Sequence, residues 1–162
     1  MKKILYTLAI ALGVLSCGDD PVQFNEAALN DTFTSLNGET VTLKSILETH
    51  KGKNVVIDIW ASWCGDCISG MPKVKALQQQ YPNAVYLFFS LDRDLASWKR
   101  GIDIYNVEGE HYFLPKGKKS AFGNFVSISW IPRYMAINKA GEIVVYDVIE
   151  ADDAKLVKAL KN

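Results

Sequence analysis

Val55-Val56-Ile57-Asp58-Ile59-Trp60 is a nearly unbroken apolar, largely β-branched run that leads within a few residues into Trp63-Cys64-Gly65-Asp66-Cys67. An apolar run this short and without alternation is the pattern of a strand covered on both faces. Met71, Val74 and Leu77 then recur near helical spacing, which predicts a helix over 65–80. The two cysteines therefore stand where a buried strand hands over to a helix. At that position partly paired amide donors and the positive end of the helix dipole favour the thiolate of Cys64. Cys67, three residues on, lies on the same side of the first turn, close enough to close a disulfide. One sulfur is placed to attack and the other to resolve.

The remaining punctuation predicts the other elements. Asn37-Gly38 between Phe33 and Leu43 marks a β-hairpin. A short helix is expected over 45–50, a second central strand over 84–91 and a helix over 95–105 that carries Trp98, Ile102 and Tyr105 inward. A hairpin over 134–149 turns at Asn138-Lys139-Ala140-Gly141, and a closing helix spans 152–160. Residues 107–129 read only as loop, with a short helix around 120–126. Pro72 falls inside the 65–80 helix, where it removes an internal hydrogen bond.

Lys2 and Lys3 precede an apolar stretch over 4–15, the order of a secretory leader and too short to span a bilayer. Val14-Leu15-Ser16-Cys17 resembles the lipobox of bacterial lipoproteins, which implies cleavage before Cys17 and lipidation of that cysteine. The alternative is an ordinary secreted chain with a free Cys17. The expected division is a signal peptide over 1–16, a lipidated tether over 17–30 and one domain over 31–162, on the bacterial cell envelope facing the periplasm or the surface. Loss of residues 1–16 leaves 16 basic and 18 acidic side chains. No basic stripe calls for nucleic acid, and three cysteines, one of them a candidate anchor, do not make a disulfide-stapled scaffold.

The segment from Asp58 to Cys67 resembles the active-site segment of thioredoxin-fold proteins. Asp58, six residues before Cys64, matches the buried acid of that family. Pro72, five residues after Cys67, matches its helix proline, and Ile131-Pro132 matches the loop whose cis-proline faces the cysteines. The likeness is nearest to lipoprotein and membrane-anchored thioredoxin-like reductases related to cytochrome c maturation proteins. It implies a thioredoxin-like three-layer α/β/α sandwich with a central mixed sheet, an N-terminal β-hairpin and an insertion before the cis-proline loop. It also implies an envelope thiol-disulfide oxidoreductase, a monomer without cofactor or metal, reducing protein disulfides with electrons from a membrane thiol donor. Cys64, Cys67 and Asp58 would be catalytic, with Asp58 accepting the proton of Cys67. Trp63, Ile131 and Pro132 would bind substrate. Trp130 and Phe125 are further candidates for an apolar rim, the alternative for each being a place in the core.

Two departures stand out. Thioredoxins carry Gly-Pro between their cysteines, whereas Gly65-Asp66 puts a carboxylate beside both sulfurs. A negative neighbour disfavours a thiolate, so the pair is expected to be reducing. The membrane-anchored group often has a glutamate three residues past the second cysteine, where this chain has Gly70, leaving the proton work to Asp58. The other readings weighed are a thiol-dependent peroxidase, a copper-binding module in which His111 joins the dithiol, and a peptide-binding module with a permanently closed disulfide. A zinc site lacks ligands, since His50 and His111 are far apart in sequence.

Overall fold

The computed structural model describes residues 20–161, so the leader expected over 1–16 and the expected anchor Cys17 lie outside the described residues. The chain forms α1 (Glu26–Leu29), β1 (Thr32–Ser35), β2 (Thr40–Thr42), α2 (Leu43–Thr49), β3 (Val55–Trp60), α3 (Gly65–Gln80), β4 (Val85–Ser90), α4 (Leu95–Tyr105), β5 (Glu110–Phe113), α5 (Ala121–Phe125), β6 (Arg133–Ile137), β7 (Ile143–Val148) and α6 (Ala154–Leu160). The seven strands make one mixed sheet in the order β2-β1-β5-β4-β3-β6-β7. β3 pairs parallel to β4 and antiparallel to β6. All six residues of β3 are buried, as its composition requires of a central strand.

Side chains alternate across the sheet, so residues in register share a face. Asp58 is in register with Phe88 on β4 and Tyr134 on β6. On that same face the Tyr86 hydroxyl donates to the Leu77 carbonyl at the end of α3, and Trp98 of α4 packs 5.7 Å from the Phe113 ring. Helices α3 and α4 therefore cover the Asp58 face. The Ile57 and Ile59 face is covered by α5, whose Phe122 ring lies 5.3 Å from Phe89 and 5.6 Å from Phe33. These layers fit the three-layer sandwich expected from the family likeness.

The hairpin forms where Asn37-Gly38 marks it. Gly38 takes φ +85°, a left-handed conformation that disfavours any residue with a Cβ, and its N–H donates to Ser35 O. Thr42 and Ser45 close α2 with a capping box, which moves its start to Leu43.

Two regions depart from expectation. The 17–30 segment is not slack along its described length: Phe24 and Ala28 enter the core, and Phe24 packs 5.2 Å from the Phe125 ring. A single buried phenylalanine contributes about 2–3 kcal/mol, enough to hold a short segment down. The packed domain thus begins before residue 31, and Phe125 serves beneath this segment instead of on a rim. The 107–129 stretch contains an additional strand, β5, which pairs parallel with β4 and antiparallel with β1. Through β5 the N-terminal hairpin joins the central sheet.

Candidate functional site

Cys64 is the N-cap of α3, and its Sγ accepts the Cys67 amide N–H at 3.1 Å. The two cysteines are joined as a disulfide with Cα atoms 5.3 Å apart. Cys67 begins the inner stripe of α3, with Met71, Val74 and Leu77, and is 1 % exposed; Cys64 is 6 % exposed. Cys64 opens onto a shallow groove bordered by Trp63, Asp66, Lys118, Trp130 and Ile131. This difference suits an outer sulfur that meets a partner and an inner one that does not. An amide donor aimed at the Cys64 sulfur also stabilises negative charge there once the bond is reduced.

The Ile131-Pro132 bond is cis, and the Ile131 carbonyl oxygen lies 3.6 Å from Cys64 Sγ. Trp63 and Trp130 stand beside them with more than half their surface exposed. The structure thus brings Trp63, Ile131 and Pro132 to the sulfur pair.

Asp58 sits in the middle of β3, under the inner stripe of α3. It is 2 % exposed, and neither carboxylate oxygen has a hydrogen-bond partner among the described residues. Burial pushes its pKa up from 3.8 to about 8, because no donor or cation offsets the lost hydration. An acid in that range exchanges its proton near neutral pH.

Sequence reasoning missed the clamp behind the active loop. Buried Asp92 accepts from Ser62 N (3.2 Å), Ser62 Oγ (2.6 Å) and Ser90 Oγ (2.8 Å), while its own N–H donates to Ser90 Oγ. Ser62 is thereby fixed two residues before Cys64. The available signal was small and polar: Ser90 ends an otherwise apolar strand and Asp92 follows two residues on. Helix α4 presses on the same loop through Gly101, where an added Cβ would lie well inside van der Waals contact with Ser62 Cβ. Gly101→Ala is accordingly expected to destabilise the fold by about 1–3 kcal/mol and to slow disulfide exchange. Urea unfolding and exchange kinetics on the one variant check both.

His111 is buried, stacked on Phe88, and has a ring nitrogen 2.9 Å from Val107 O; burial lowers its pKa. Among the described residues no three His, Cys, Asp or Glu side chains cluster as metal donors. No described helix is long and apolar enough to cross a membrane.

The thioredoxin-like family model matches residues 52–143, more than half of the chain. The chain belongs to the thioredoxin-like family. Among relatives of this thioredoxin-like protein is the thiol-disulfide oxidoreductase ResA of Bacillus thuringiensis, 26 % identical over 148 residues that span 88 % of this chain and 80 % of that one. A solution structure of a candidate thiol-disulfide oxidoreductase from Bacteroides vulgatus superposes with a TM-score of 0.68 at 25 % identity, covering 85 % of this chain and 88 % of that one. A thiol-disulfide oxidoreductase from Bacteroides fragilis shares the fold, with a TM-score of 0.69 at 22 % identity over 84 % of this chain and 98 % of that one. With the Cys64–Cys67 pair, these relatives make this thioredoxin-like chain an oxidoreductase of the thiol-disulfide class.

Proposed function

We propose that the protein reduces disulfides of client proteins in the bacterial cell envelope, held there by lipid on Cys17 and recharged by a membrane thiol donor. The observation that carries the disulfide chemistry of this reading is the conjunction of a capping sulfur at the groove, a sheltered sulfur behind it and an ionisable acid beneath the same helix. The Cys64 thiolate attacks the client disulfide, and one client sulfur leaves as a thiol. The resulting mixed disulfide is opened when Cys67 gives its proton to the Asp58 carboxylate and bonds to Cys64, expelling the second client sulfur. Both electrons come from the dithiol, which ends as the disulfide seen here.

Ile131 offers backbone groups beside the sulfur for an extended client segment, with Pro132, Trp63 and Trp130 supplying apolar contact. Asp66, at the first turn of α3, places a negative charge near the pair and supports a reducing role.

Cys67→Ser tests the reading. In cells this variant is expected to accumulate a client on Cys64 as a mixed disulfide that reductant releases, and mass spectrometry of the released protein names the client. Failure to trap any protein on Cys64, with Cys64 shown to be reduced, would refute the mechanism.

A further inference from the structure

The proton that Asp58 receives has no evident way out. In register across the sheet its neighbours are Phe88 and Tyr134, and along β3 the same face carries Val56 and Trp60. The facing stripe of α3 is Cys67, Met71, Val74 and Leu77. The Tyr86 hydroxyl on this face is occupied by the Leu77 and Tyr81 carbonyls. Among these neighbours only Tyr134 brings a second hydroxyl. Its residue is 1 % exposed, yet it lines a cavity of about 410 Å³ shared with Ser69, Gly70, Pro132 and Glu150. The hydroxyl stands 3.5 Å from the place a Cβ on Gly70 would take, so the absence of a side chain there leaves it open to the cavity.

We propose that Tyr134 relays protons between Asp58 and solvent in this cavity, which resets the base for each closure of the dithiol. The inference rests on the assignment of Asp58 as the base for Cys67. Neither Asp58 oxygen is hydrogen-bonded to the tyrosine hydroxyl at rest, so each passage requires the two side chains to close to hydrogen-bonding distance; the tyrosine oxygen then takes the Asp58 proton as its own hydroxyl proton moves to cavity water. Asp58 ends as carboxylate, Tyr134 ends unchanged, and no electrons move.

The surroundings favour a relay over a base. Burial, then the charges of Asp58, Glu150 and Asp152, hold the Tyr134 pKa far above its ordinary value, so tyrosinate does not accumulate. The charged groups at the cavity are Asp66 and Lys73 from α3 and Glu150 after β7, and Lys73 is bound to Glu150 at 2.7 Å and Asp152 at 3.1 Å. The cation at this cavity, Lys73, is thus held by two carboxylates.

The test uses the reduced full chain with a chromogenic aromatic disulfide, which releases one thiolate on attack by Cys64 and a second on closure by Cys67. Tyr134→Phe is expected to slow the second release about ten-fold at pH 7 and to leave the first unchanged. The deficit should shrink as pH passes about 8, where Asp58 is already ionised. Asp58→Asn combined with Tyr134→Phe should be no slower than Asp58→Asn alone. Gly70→Leu, which keeps the hydroxyl but fills the space before it, should also slow only the second release, and it decides the matter if Tyr134→Phe does not fold.

A slow Asp58→Asn beside a Tyr134→Phe of ordinary speed overturns the relay and leaves the base in place. An Asp58→Asn of ordinary speed removes both. Equal slowing of both releases at every pH assigns Tyr134 to packing alone and overturns the relay as well.

Discussion

Asp58→Asn is expected to slow closure of the dithiol about a hundred-fold at pH 8, while the first attack by Cys64 keeps its rate. The acid touches no client; it serves Cys67, whose proton must leave before that sulfur becomes a nucleophile. With a pKa of about 8, the carboxylate fraction at pH 7 is small and rises with pH. The closure rate of the unaltered protein should therefore climb through neutral pH and level off above about 8. In the variant that inflection disappears, and the residual rise follows the Cys67 thiol alone. Stopped-flow resolution of the two thiolate releases separates the steps. An inflection near pH 8 that survives the substitution would assign it to another group.

The same substitution is expected to stabilise the oxidised protein on the order of 4 kcal/mol at pH 7. Asp58 titrates at about 8 when folded, against an ordinary value of 3.8. Between those values the folded chain holds a proton that the unfolded chain has lost, so stability falls as pH rises, by about 1.4 kcal/mol per unit. Above about pH 8 both states are ionised and the loss is complete. Asn carries no such titration, and below about pH 4, where Asp58 is protonated in both states, the two side chains bury comparable polar groups. Urea unfolding of the oxidised forms should converge near pH 4 and diverge steadily to pH 8. Parallel stability profiles across that range would mean that the carboxylate is neutralised by something other than burial. Activity and stability are thus opposed at one atom group: the burial that makes Asp58 a usable base is what costs the fold.

The parts legible in the sequence are those set by local chemistry. Helix α3 was readable from Met71, Val74 and Leu77 together with the cysteine that caps it, and the turns at Gly38 and Gly141 from their residue types. Asp58 announced itself by its place between Ile57 and Ile59. The elements that resisted reading are held by distant partners. Strand β5 has only four residues, begins with Glu110 and His111, and owes its conformation to β4 on one side and β1 on the other. Phe24 stands alone among polar neighbours and finds its place only against Phe122 and Phe125, about a hundred residues on. The Asp92 clamp joins Asp92 to Ser62 across thirty positions, a distance over which no pattern of residue types speaks. Tyr134 looked like one more strand aromatic until the register set it beside Asp58.

The pairing of β1 with β5 bears on the order in which the molecule can assemble. Synthesis delivers the first strands early, but the hydrogen bonds of Thr34 and Ser35 to the sheet wait for Tyr112 and Phe113, and Phe24 waits for α5. Until then the amino-terminal hairpin has only itself, and an isolated two-stranded hairpin is at best marginal in water. The nascent chain therefore commits late, with Phe24 and the hairpin sealed in place by a segment made after the redox helix.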